Sequence, residues 1–154
     1  MLLIALLLAT QTVVVPEEPV DPYTVSDANA GATPVGGDGL WRAFHGRDGV
    51  DRIVDDLVVR SIADRRIGDI FRGQDMARLR RTLKEQFCYI LNGGCAYTGR
   101  TMKDSHRDLG IQQADMGALV ENLQAAMRQE GVPFMAQNRL LAKLAPMKRD
   151  IVER

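Results

Sequence analysis

From Trp41 onward the apolar positions recur at three- and four-residue spacing, and no alternating run is long enough to build a sheet, so the pattern predicts an all-α body. Asp48 is placed to cap a first helix with Val50, Ile53, Val54, Leu57 and Val58 on one face, ending near Ile62. Asp75 is placed to cap a second, with Met76, Leu79, Leu83, Phe87, Ile90 and Leu91 inward and Arg78, Arg81 and Lys84 toward solvent. Asn92-Gly93-Gly94 ends it. A short helix starts at Thr101, where Thr101-Met102-Lys103-Asp104 approximates a capping box, and it aligns Met102, His106 and Leu109 before Gly110 closes it. Met116, Leu119, Val120, Leu123 and Met127 form the cleanest stripe. Gly131-Val132-Pro133 separates it from a last helix bearing Leu140, Leu141, Leu144, Met147 and Ile151. Four substantial helices and one short one result, without internal repeat.

The first forty residues read differently. Residues 1–15 (MLLIALLLATQTVVV) carry no charge and suit the core of a signal peptide, or a membrane tether, better than a full membrane span. A positive start is missing, and the nearest small-x-small site, Ala28-Asn29-Ala30, lies well downstream. Residues 16–40 are rich in Pro, Gly, Ala and acids and are expected to form a flexible spacer, which leaves residues 41–154 as the folded domain. Export, with the globular body outside the cytoplasm, is the expectation, and a cytoplasmic body is the alternative if the start codon is misplaced.

A length of 154 residues, 45% of them apolar, fits one modest domain. The 20 bases and 20 acids balance overall, but Glu17, Glu18, Asp21, Asp27 and Asp38 precede Trp41 without any base, so the body is mildly basic. Its cations alternate with acids and aromatics are only 5%, which argues against a nucleic-acid partner. Cys88 and Cys95, seven apart, and the distant His45 and His106 exclude a structural zinc site. The chain reverses between the cysteines, so they either pair in an oxidising compartment or remain two thiols.

His106 is the sharpest chemical feature. On an apolar face, its imidazole is either a hydrogen-bonded core group or an axial ligand to haem iron, and periodicity alone leaves both open. The run Tyr97-Thr98-Gly99-Arg100-Thr101-Met102-Lys103-Asp104-Ser105-His106-Arg107-Asp108-Leu109-Gly110-Ile111 resembles the segment around the proximal histidine of group I truncated haemoglobins. Val54-Asp55-Asp56, Ala63-Asp64, Phe71 and Asp75-Met76-Ala77-Arg78-Leu79 resemble the same family upstream, as do Gly131-Val132-Pro133 and Leu144-Ala145-Pro146 downstream. The likeness spans Trp41 to Val152. It implies a two-over-two helical sandwich around haem b, reversible binding of a diatomic gas, and a reductase as electron donor.

Carried over by residue, the resemblance makes His106 the proximal ligand and Phe71 the ring that stacks on the porphyrin. Leu79, Leu83 and Phe87 would line the distal side, with Tyr97, Met102, Val120 and Leu123 on the proximal side and haem edge. Arg80, Arg81 or Lys103 would meet the propionates, although the family's usual basic position for that role holds Thr82. The distal tyrosine of many members is Val58 here, the phenylalanine before it Leu57, and the distal glutamine Leu83. Gln86 replaces a usual aromatic and is expected to face solvent rather than the pocket. His45 stands at the first glycine of an early Gly-Gly pair and is expected at the surface.

Three functions follow from this reading: a gas-binding globin, favoured; a haem enzyme with nitric oxide dioxygenase or peroxidase-like chemistry; and a haemless helical interaction module. Val58 and Leu83 offer no hydrogen-bond donor for charged oxygen intermediates, which counts against the enzyme. Intact His106 and Phe71 count against the haemless module.

Overall fold

The computed structural model describes residues 14–153. Among them there is no strand, and the helical body expected from the periodicity is present. The helices are α1 (Gly39–Ala43), α2 (Gly46–Ala63), α3 (Met76–Ile90), α4 (Met102–Ser105), α5 (Gln113–Gln129), α6 (Phe134–Leu144) and α7 (Lys148–Ile151). Short 3-10 turns precede α1, α3 and α7 at Asp27–Ala30, Gly68–Phe71 and Ala145–Met147.

Local chemistry explains most boundaries. Asp75 caps α3 as expected, its Oδ1 accepting the Arg78 N–H at 2.9 Å. Asp48, by contrast, sits inside the first turn of α2. The helix begins two residues earlier because His45 adopts a left-handed conformation, with φ 61°, and turns the chain out of α1. That conformation favours glycine, which fits the Gly-Gly pattern in which His45 replaces the first glycine. The expected last helix is divided at Pro146 into α6, a 3-10 turn and α7, since proline cannot continue the α6 hydrogen-bond ladder.

α2 packs against both α3 and α5. The residues just past its C-terminal end meet the middle of α5 through Arg66–Glu121 at 2.7 Å and Asn122–Asp64 at 3.0 Å. Its N-terminal end meets the far end of α5 through Arg52–Glu130 at 2.7 Å, so the two helices run antiparallel. Ile53, Val54, Val58, Ile90, Leu91, Met127 and Leu140 are each at most 1% exposed and form the centre of the core. Lys84 and Arg80 turn back to Asp55 on α2, at 3.0 and 3.4 Å, rather than to open solvent.

The largest correction concerns residues 16–40, which form an ordered strap rather than a flexible spacer. Ala30, Val35 and Leu40 are buried in the core. Glu17 pairs with Arg78 and Arg81, the Val35 N–H donates to the Ile90 carbonyl at 2.8 Å, and Asn92 donates to the Gly37 carbonyl at 2.9 Å. A sequence poor in large apolar residues can be held this way because side chains of the body satisfy its backbone polar groups. Leu40 also belongs to α1, so the body begins slightly before Trp41. The apolar leader lies almost wholly outside the described residues; Val14 and Val15 are exposed.

Cys88 and Cys95 form a disulfide across a Cα–Cα distance of 5.7 Å, tying the end of α3 to the loop that leads to α4. In a chain-entropy account a loop of this length stabilises by about 2 to 3 kcal/mol. Replacing both cysteines with serine should lower the unfolding free energy by that amount, as read from urea denaturation of oxidised wild type and variant.

The clamp between α2 and α5 is pH-sensitive. The Arg52 guanidinium, with help from the His45 ring, holds the Glu130 carboxyl down at about 2. Because the folded value lies below the ordinary one of 4.5, this contribution is complete above that pH and is lost as pH falls toward 2. Glu130→Gln should therefore flatten the fall in urea midpoint over that window and leave its slope above pH 5 unchanged.

Candidate functional site

α4 is a single turn built by reciprocal capping. Thr101 Oγ1 accepts the Asp104 N–H at 3.0 Å and donates to Asp104 Oδ2 at 2.9 Å. The helix closes at Ser105, earlier than the expected stop at Gly110. His106 forms its C-cap, and left-handed Asp108 and Gly110 carry the chain on toward α5. His106 Nδ1 lies 2.7 Å from the Met102 carbonyl oxygen. Only a protonated Nδ1 can donate there, so the tautomer with a lone pair on Nε2 is favoured. Nε2 makes no hydrogen bond among the described residues. Burial lowers the His106 pKa, and nearby Arg100 adds to the effect while the Met102 carbonyl opposes it. The side chain is thus a neutral imidazole held in one orientation with one nitrogen available for coordination.

The apolar surroundings are unevenly covered. In the second half of α3, Gln86, Phe87, Cys88 and Ile90 are buried, whereas Met76, Leu79 and Leu83 in the first half are only partly so. α5 repeats the pattern: Leu123, Ala126 and Met127 are buried, while Met116, Leu119 and Val120 are not fully covered. Leu109 and Leu144 are also half-buried. The first parts of the α3 and α5 stripes are thus less completely covered than their second halves.

The structure brings several sequence-predicted residues together. Gln86 Nε2 lies 3.4 Å from Met102 Sδ, and Met102 in turn holds His106, so α3 and α4 meet at these three residues. Tyr97, Phe87 and Leu123 are core residues at 2 to 4% exposure, as are Leu57 and Val58 at 3% and 1%. Phe71, at the end of its 3-10 turn, lines an open cavity of about 670 Å³ with Ile62, Gly68 and Met76, apart from His106. Lys103 and His106 line a smaller cavity of about 260 Å³ with Arg149 and Val152.

Other expectations are corrected. Arg80 faces α2 and pairs with Asp55 at 3.4 Å rather than standing free. Arg81, expected toward solvent or a propionate, is taken by Glu17 and Glu85. Lys103 is exposed and makes no ion pair among the described residues. Gln86 does not face solvent: it is 5% exposed and donates to the Ala30 carbonyl at 2.8 Å, with the sulfurs of Met102 and Met147 beside the same nitrogen. Its amide is committed to the strap and is unavailable as a distal donor. His45 is a surface residue, as expected, bound to Glu130 at 2.9 Å. Sequence reasoning missed Glu85, which accepts both the Thr98 N–H and hydroxyl at 2.8 Å; its spacing of four from Arg81 was the available signal.

The family model for bacterial-like globins matches residues 40–153. A group 1 truncated haemoglobin of Mycolicibacterium paratuberculosis is 31% identical over 112 residues, covering 73% of this chain and 82% of that protein. One from a Synechocystis species is 31% identical over 119 residues, covering 73% and 96%. Among solved structures, the truncated haemoglobin of Tetrahymena pyriformis in its Fe(III) form superposes with a TM-score of 0.71 at 21% identity, covering 75% of this chain and 98% of that one. A 2/2 haemoglobin of a Synechococcus species, with covalently attached haem, gives 0.69 at 24% identity, covering 75% and 98%. The chain therefore belongs to the bacterial-like globins and has the truncated globin fold.

Membership implies haem, and the residues present fit it. A pre-oriented neutral imidazole would offer a nitrogen to the iron, and the half-buried leucines and methionines of α3 and α5 are surfaces that a flat apolar macrocycle would finish covering.

The reassignment of Gln86 has a measurable consequence. Gln86→Leu leaves the buried Ala30 carbonyl without its donor, so urea denaturation should show a loss of about 1 to 3 kcal/mol. Oxygen release from haem-loaded protein should change little.

Proposed function

We propose that this globin binds haem b through His106 Nε2 and reversibly binds a diatomic gas on the opposite face. The observation that carries the reading is the 2.7 Å contact between His106 Nδ1 and the Met102 carbonyl, which orients the ring and reserves its other nitrogen. Haem held there would supply an iron able to take up oxygen, nitric oxide or carbon monoxide. Met102 fixes the tautomer of the proximal imidazole, and burial keeps it neutral. Phe71 is assigned to stack on the porphyrin, and Lys103 is the remaining candidate for a propionate.

Leu79, Leu83, Val58 and Leu57 form the proposed distal wall. None carries a side-chain donor, and Gln86 is held by Ala30. Dioxygen gains most from a distal donor and carbon monoxide gains little, so ligand preference shifts toward carbon monoxide and nitric oxide. A sensing or carrying role outside the cytoplasm is supported by the apolar leader and by a disulfide suited to oxidising surroundings. An electron-donating reductase is the proposed partner, keeping the iron reduced.

The protein expressed with haem should show a Soret band that His106→Ala severely weakens and added imidazole restores. An unchanged spectrum and haem affinity in the variant removes His106 from the proximal role. Val58→Tyr should slow oxygen release by roughly ten- to a hundredfold, the effect of one added hydrogen bond with charge character, while carbon monoxide release changes little. Stopped-flow ligand replacement measures both.

A further inference from the structure

Three side chains of the strap converge on the residues just ahead of α4. The Tyr23 hydroxyl donates to the Thr98 carbonyl at 2.7 Å, Asp27 Oδ1 accepts the Tyr97 N–H at 2.8 Å, and Asn29 Nδ2 donates to the Gly99 carbonyl at 3.1 Å. From the opposite side Glu85 on α3 accepts the Thr98 N–H and hydroxyl. Within the loop, burial pushes the Tyr97 phenol up to about 12, so it stays protonated and donates to the Arg100 carbonyl at 3.1 Å. Its ring lies directly over Gly99, where an added Cβ would sit 2.3 Å from the phenolic oxygen. Residues 97–100 are thereby held on both sides, through their own backbone groups.

α4 cannot hold its own position. It is one turn long, too short to be stable as an isolated helix, and its start is set by Thr101, the next residue of the pinned loop. The strap also reaches α4 directly. A Cβ on Gly31 would lie 3.1 Å from Met102 Cγ, and Met102 is the residue whose carbonyl orients His106.

We infer that Tyr23, Asp27 and Asn29 are positioning residues for His106, acting through the Tyr97–Arg100 loop, so that the strap is a working part of the proximal site. The inference rests on the haem reading above. All three residues lie outside the stretch 40–153 shared with the family, so this support belongs to the segment that precedes the globin domain. The carboxylate of Asp27 is the centre of the device, since it holds the first backbone N–H of the loop.

The test uses the full chain with Asp27→Ala, Asp27→Asn, Tyr23→Phe and, as a control, Thr33→Ala, which removes only the exposed contact to Lys143. In haem-free protein, amide hydrogen exchange should accelerate about tenfold at Tyr97 in Asp27→Ala and spread to the Ser105 amide, which bonds the Thr101 carbonyl across α4. Tyr23→Phe should have the same effect at lower amplitude, Asp27→Asn should largely rescue, and Thr33→Ala should match wild type. In the haem-loaded ferrous protein, Asp27→Ala should shift the iron–histidine stretching band while the Soret intensity stays. Acceleration confined to Tyr97–Gly99, with the Ser105 amide unaffected, overturns the inference, as does an unmoved stretching band. If wild type takes up no haem, the haem reading fails by itself, and exchange at Ser105 still decides whether the strap positions the His106 turn.

Discussion

Everything proposed for this protein depends on one hydrogen bond, from His106 Nδ1 to the Met102 carbonyl one turn earlier. It decides which imidazole nitrogen has a lone pair and where that lone pair can be presented. Burial acts in the same direction by disfavouring the charged ring, so the group is held as a ligand and not as a cation. The helix that makes this bond is a single turn, and its geometry is inherited from what surrounds it. Reciprocal capping between Thr101 and Asp104 sets its start, and the pinned Tyr97–Arg100 loop sets its place.

The strap changes the electrostatics of α3 as well as its packing. Arg78 and Arg81 stand on the same helix as the apolar stripe and would be natural partners for an anionic ligand group. Glu17 occupies both, and the Arg81 guanidinium lowers the Glu17 pKa. Arg80 and Lys84 are drawn to Asp55 on the other side. α3 therefore presents its apolar residues with its four cations already paired, and Lys103 on α4 lines the cavity beside His106 together with the exposed Arg149 of α7. Partly solvated surface pairs of this kind contribute little stability, so their effect here is on which cations a ligand can reach.

The helices α2 to α6 and their inward stripes were legible in the sequence because a period of 3.6 survives local irregularity, whereas α1 and the division of the last helix at Pro146 were not. The Asp75 and Thr101 caps were legible because their chemistry is local. The left-handed turn at His45 was hidden, since the residue there is not the glycine such a turn favours. The strap was hidden for another reason. Pro, Gly and acids in residues 16–40 carry no periodicity, and partners such as Asp75, Gln86 and Asn92 lie more than fifty residues away. Gln86 was misplaced for the same reason: nothing near it in sequence says that a carbonyl from Ala30 will need a donor. His106 stood out on its apolar face, but its role as ligand, like that of Phe71, came through resemblance, and the structure adds to the first the tautomer that periodicity could not supply.

A crystal structure of the haem-loaded protein tests the central claim most directly. The account predicts that His106 Nε2 ligates the iron, that Nδ1 still donates to the Met102 carbonyl, and that Asp27 and Gln86 keep their contacts to Tyr97 and Ala30. Iron held by another side chain, or a His106 ring turned away from the Met102 carbonyl, would contradict it.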